Sequence, residues 1–64
     1  MYKREKTCKC IKDFTYNNLQ FHKGREYQVD VYPLYYQIYQ NGGWNDYIFI
    51  SSDEEFNSYF ELII

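Results

Sequence analysis

After Arg25 this chain contains no further lysine or arginine. It has one histidine, two cysteines, one proline and three glycines. Each scarcity narrows the chemistry. With the single histidine at His22 there is no nucleophile, base and acid set. Glu54 and Glu55, adjacent at a helix start, point apart rather than acting as a pair. At 64 residues there is also little room for a water-excluding pocket. The sequence therefore reads as non-enzymatic and without a cofactor. Cys8 and Cys10 are two apart, so in a strand they face the same way and a disulfide between them would be strained. They are read as free thiols in a small core, in a reducing, cytosolic setting. With one histidine they fall short of the four ligands of a tetrahedral metal site, so no metal is expected. No apolar run approaches the roughly 20 residues that span a bilayer as a helix, so no membrane partner is expected.

What is abundant is aromatic: nine Tyr, five Phe and one Trp. Small chains bury too little surface to be stable easily, and large rings supply the missing burial. Nine hydroxyls cannot all be internal, and tyrosine at a surface is characteristic of binding faces. Charge is divided along the chain. Lys3, Arg4, Lys6, Lys9, Lys12, Lys23 and Arg25 precede residue 26, against Glu5 and Asp13, a net of +5. Residues 26–64 carry seven acids and no base, a net of −7. The favoured reading is that the two ends pair in the fold and neutralise each other.

The clearest pattern is Glu26–Val31. Tyr27, Val29 and Val31 alternate with Glu26, Gln28 and Asp30, the period of a strand with one buried face. Lys23-Gly24 forms the turn before it and Pro33 closes it. Residues 1–6 form a flexible N-terminus that frays, and residues 7–64 form one domain. A first strand reads from Thr7 to Phe14 with Cys8 and Cys10 inward, and it bends or ends near Asp13, where Ile11 and Phe14 break the alternation. Tyr16-Asn17-Asn18 is a turn. Leu34–Gln40 and Trp44–Ile50 form a hairpin. A two-residue turn there mixes apolar and polar residues on both faces. A three-residue Asn41-Gly42-Gly43 loop opposes Tyr36 to Ile48 and Leu34 to Ile50, and is preferred because it segregates them. Ser52 caps a short helix with Glu55 completing a capping box, Phe56, Tyr59 and Phe60 forming its apolar stripe. Glu61–Ile64 is a last strand that pairs with the first.

This order resembles an SH3-like β-barrel, five antiparallel strands with one short helix before the last. The likeness rests on Cys10-Ile11-Lys12-Asp13-Phe14, similar to the Ala-Leu-Tyr-Asp-Tyr segment of SH3 domains. Leu19-Gln20-Phe21-His22-Lys23-Gly24-Arg25 is similar to their Leu-Ser-Phe-Lys-Lys-Gly-Asp step. The chain departs from the peptide-binding members: the loop after Phe14 is short, Leu34-Tyr35-Tyr36 stands where a Trp-Trp pair would open the third strand, and only Phe14 and Tyr59 match groove positions. The resemblance implies architecture and not proline-rich peptide recognition. In size and composition the chain also resembles small accessory proteins of phages and mobile elements, which implies binding and inhibition of a host or defence protein.

The residues expected to bind a protein partner are Tyr35, Tyr39, Trp44, Tyr47 and Phe49, on the hairpin face away from the core. Tyrosine and tryptophan give contact area at low entropy cost. The competing reading is that the helix covers this face. The alternative function is nucleic-acid binding, with Lys3, Arg4, Lys6, Lys9 and Lys12 following phosphates beside stacking rings. Open sheet edges can also join two copies as a homodimer.

Overall fold

The computed structural model describes residues 3–40 and 46–63. The chain is mainly β, with strands β1 (Arg4–Cys10), β2 (Phe14–Tyr16), β3 (Leu19–Phe21), β4 (Glu26–Val31), β5 (Tyr36–Tyr39), β6 (Tyr47–Ile50) and β7 (Phe60–Ile63). Helix α1 (Asp53–Tyr59) lies between β6 and β7. Five strands form one antiparallel sheet in the order β6-β5-β4-β1-β7, and β2-β3 is a separate two-stranded hairpin. The expected barrel does not close by backbone pairing: β6 and β7 are edges. Side chains bridge the gap between the two sheets instead, with the Tyr16 hydroxyl donating to the Phe49 carbonyl and the Gln40 amide to the Gln20 carbonyl.

The alternating strand forms β4, with Tyr27 and Val29 buried and Val31 half-buried. The turn ahead of it needs Gly24, whose φ is +91°; the space around its Cα is open, so backbone conformation alone selects glycine. The Asp13 carboxylate accepts from the Lys23 amide at 2.6 Å and holds the turn. Asn17 and Asn18 both take positive φ, 50° and 66°, giving the two-residue hairpin between β2 and β3 the twist such turns require.

Three boundaries differ from expectation. Arg4, Glu5 and Lys6, expected to fray, pair with Val31, Asp30 and Val29. β4 is long enough to offer them a ladder, and backbone bonding needs no side-chain burial. β1 then stops at Cys10, and Phe14 opens a different strand. The β5-β6 register is the third. Tyr36 opposes Ile50 and Ile38 opposes Ile48, two residues away from the three-residue-loop register. A shift of two keeps every side chain on its face, so hydrophobic segregation could not tell these registers apart. The deciding element is Pro33-Leu34, which is a turn rather than the start of a strand. The Tyr32 amide bonds to the Tyr35 carbonyl at 2.9 Å across it, and Leu34 is 80% exposed. The Gln40 amide bonds to the Asp46 carbonyl, and residues 41–45, with the expected glycine loop and Trp44, lie outside the described residues.

One face of the sheet is the core: Cys8, Cys10, Tyr27, Val29, Ile38, Ile48 and Ile50, closed by Phe21, Phe56 and Phe60. The Ser52 hydroxyl accepts from the Glu55 amide as expected of the cap, and Phe56 is the buried residue of α1. Phe60 ends the helix, its amide bonding to the Phe56 carbonyl, and is also the first residue of β7. The basic strand β1 lies between two acidic neighbours. Lys9 stands opposite Glu26 on one side and Glu61 on the other, so the charge division along the sequence becomes alternation across the sheet.

Candidate protein-interaction face

Strand alternation places Tyr39, Tyr47 and Phe49 on the face opposite the core, with Tyr32 and Tyr35 flanking the adjoining turn. Their rings form one connected row. Tyr32 stacks on Tyr35 at 4.6 Å, and Tyr35 meets Phe49 edge-on at 5.4 Å. Phe49 meets Tyr47 at 5.3 Å, and Tyr47 meets Tyr39 at 5.8 Å. Such contacts fix each ring against its neighbour and leave the outer surface pre-organised. Phe49 is 50% exposed and Tyr47 38%. Helix α1 packs elsewhere: Phe56 stacks on Tyr36 at 3.9 Å, on the core side. The helix therefore does not cover the aromatic row.

The five expected residues divide. Tyr35 is half-buried, Tyr47 and Phe49 are exposed, Tyr39 is buried, and Trp44 lies outside the described residues. Tyr39 belongs to the floor of the face. Its hydroxyl donates to Asp30 Oδ2 at 2.9 Å, and Lys3 Nζ reaches the same oxygen at 3.4 Å. Asp30 lies on the face opposite Tyr27 and Val29, as the alternation predicts; its side chain is nevertheless wholly buried, and among the described residues Oδ1 has no hydrogen-bond partner. Burial, then the hydrogen bond to Asp30, pushes the Tyr39 phenol up to about 12. The hydrogen bond and charge of Asp30 raise the Lys3 ammonium above its usual range.

Sequence reading missed Lys3, Asp30 and Tyr32 as parts of this face. The available signal was Asp30 itself, since aspartate is disfavoured in mid-strand unless something there uses it.

The basic residues do not assemble. Lys3 and Lys9 have the parity of the aromatic face, whereas Arg4 and Lys6 have the parity of the core side. Lys12 sits 5.0 Å above the Tyr59 ring beside the end of α1. Lys9 is flanked by carboxylate-bearing positions on both neighbouring strands. Depressions among the described residues are open to solvent. Glu5, Lys6, Thr7, Gln28 and Ile63 line one, and Arg4, Val31, Tyr32 and Pro33 line another. No group of three His, Cys, Asp or Glu among the described residues is placed to hold a metal ion. No helix among them is long and apolar enough to cross a membrane. Comparison with protein-family models, with curated proteins and with solved structures found no match.

Proposed function

We propose that this chain is a small non-enzymatic protein-binding module that uses the open face of its sheet. The contact surface comprises Tyr35, Tyr47 and Phe49, with Tyr39 beneath them; Trp44, the fifth expected residue, lies outside the described residues. One observation carries the reading: a connected row of rings lies on the sheet face that α1 leaves uncovered. Aromatic side chains already locked against one another lose little freedom on binding, and this is the composition of interface hot spots. The SH3-like architecture is part of the same proposal. Its support is the five-stranded antiparallel order with the helix leading directly into the last strand. An accessory role of the phage type, disabling a host or defence protein by occupying its surface, agrees with the chain's size and composition.

The test is capture of a partner from the native host's lysate by the wild-type chain and by a Tyr47→Thr/Phe49→Thr double variant. Threonine retains strand preference while removing both exposed rings. Loss of capture by a variant that still unfolds cooperatively supports the reading. Undiminished capture sinks it, and so does loss of folding, which would assign the rings to the core.

A further inference from the structure

A carboxylate oxygen buried without a hydrogen bond is costly, and in a native fold it calls for a partner or a use. Asp30 is wholly buried on β4 beside Tyr39, and among the described residues its Oδ1 is in that condition. Its Oδ2 is served twice, by the neutral Tyr39 hydroxyl and by Lys3. The Lys3 contact is poor. At 3.4 Å it exceeds the roughly 2.7–2.9 Å of a good charge-assisted bond. The Lys3 side chain is 42% exposed, it precedes β1, and it is shared with Glu5 at 3.9 Å. Glu5 stands directly across from Asp30 in the ladder. Two carboxylates thus converge on one loosely held ammonium, and Tyr32, stacked on Tyr35, is close enough to act electrostatically on it.

The geometry points to a seat for an arginine side chain of the protein partner, which displaces Lys3, forks onto both oxygens of Asp30 and stacks on the Tyr32–Tyr35 rings. The assignment rests on the protein-binding reading, and it names what that partner must present. Charge complementarity selects a cation, and Lys3 already demonstrates that an ammonium is accepted there. Two features favour guanidinium over ammonium. Its planar fork can satisfy Oδ1 and Oδ2 together, which a single Lys Nζ on Oδ2 does not. Its flat face also stacks on tyrosine, where an ammonium makes a point contact. Lys3 is then an internal placeholder that keeps the carboxylate covered while the partner is absent.

The probes are two blocked tripeptides, Gly-Arg-Gly and Gly-Lys-Gly, titrated at low salt into the full chain and followed through the amide resonances of Asp30, Tyr32 and Tyr39. In a Lys3→Gln variant the arginine peptide is expected to bind about tenfold tighter than in wild type, because the internal competitor is gone. It is also expected to bind at least about fivefold tighter than the lysine peptide. Adding Asp30→Asn to that variant should remove the response. Should that protein not fold, Lys3→Arg provides the second arm: it fills the seat from within, blocks the peptide and raises the melting temperature. Equal binding of the two peptides, or no response in Lys3→Gln, overturns the proposal. A peptide that still binds Lys3→Arg as well as Lys3→Gln overturns it equally. The outcome is separable from that of the interaction surface. Tyr47→Thr/Phe49→Thr removes ring neighbours of Tyr39 and Tyr35 but neither the Asp30 carboxylate nor the Tyr32–Tyr35 stack itself, so it should abolish partner capture and retain the peptide response.

Discussion

Tyr35 and Tyr36 are neighbours in sequence and end on opposite faces of one sheet. Tyr36 stacks on Phe56 at 3.9 Å and donates to Asp53 at 2.7 Å, enclosed by α1. Tyr35 stacks on Tyr32 and touches Phe49, whose other side meets water. Composition does not separate the two faces, since both are rich in rings. Connectivity does. The crossing from β6 to β7 carries α1 over one face, and the β2-β3 hairpin brings Phe14 and Phe21 to the same side. Among the described residues no element packs over the other face, where a buried aspartate forms part of the floor. One face is finished by the chain itself, and on the other the described residues leave Tyr47 and Phe49 exposed.

If that distinction is right, damage to the two faces should cost very different amounts. Phe56→Ala empties the centre of the finished face and should lose about 3–5 kcal/mol, read from urea unfolding. That is most of the stability of a domain this small. A loss below about 1 kcal/mol would mean α1 is not what closes the core.

Alkaline pH should weaken the finished face as well. Burial pushes the Cys8 thiol from its ordinary 9.0 up to about 12, and burial pushes the Tyr36 phenol from 10.0 to about 12. Tyr39 on the outer face moves the same way. Each of these groups is neutral when protonated and holds its proton more tightly in the fold than in the open chain. The unfolded chain therefore releases protons first as pH rises. Their contribution is complete below pH 9 and should drain away between pH 9 and 12. Urea midpoints that stay flat from pH 8.5 to 11.5 would show that the thiol and phenols are not enclosed as described.

On the open face the largest cost should come from its floor. Tyr39→Phe removes a hydroxyl donor from a carboxylate that is already short of partners, a loss of about 1–3 kcal/mol. Ser52→Ala removes the cap that starts α1 and should cost about 1 kcal/mol, acting on the finished face only. Differential scanning calorimetry resolves both.

Much of the finished face was legible in the sequence because it follows short-range rules. Alternation in Tyr27-Gln28-Val29 fixes β4, Asn17-Asn18 dictates a tight turn, and Ser52 with three acids marks a helix start. The pairing of β7 with β1 was legible too, from β-branched residues at one end and alternating cysteines at the other. The errors fell where a pattern has two equal solutions or where long-range contact decides. A two-residue slip between β5 and β6 leaves the faces unchanged, so only the Pro33-Leu34 turn and the packing of Tyr36 on Phe56 select the register. Asp30 alternates correctly with Gln28, and nothing local reveals that Tyr39 and Lys3 close over it. The outer ring row was anticipated from residue type. Its floor was not, because the floor is assembled from the segment before β1, from β4 and from β5.

The smallest expected effect is the sharpest check on the comparison. Phe49 is 50% exposed, and its ring touches only Tyr35 and Tyr47 among the described aromatic contacts. Its backbone carbonyl, which accepts from Tyr16, does not depend on the side chain. Phe49→Thr keeps a strand-favouring residue at an edge position. It should therefore change stability by no more than about 0.5 kcal/mol, as surface substitutions do. Set beside Phe56→Ala, one phenylalanine then carries several kcal/mol and the other almost none, although the two rings are of equal size. Thermal unfolding of the two variants under the same conditions measures the gap directly. A cost for Phe49→Thr of more than about 2 kcal/mol would place that ring among interior contacts. The outer row would then be a second core and not a surface kept for a partner.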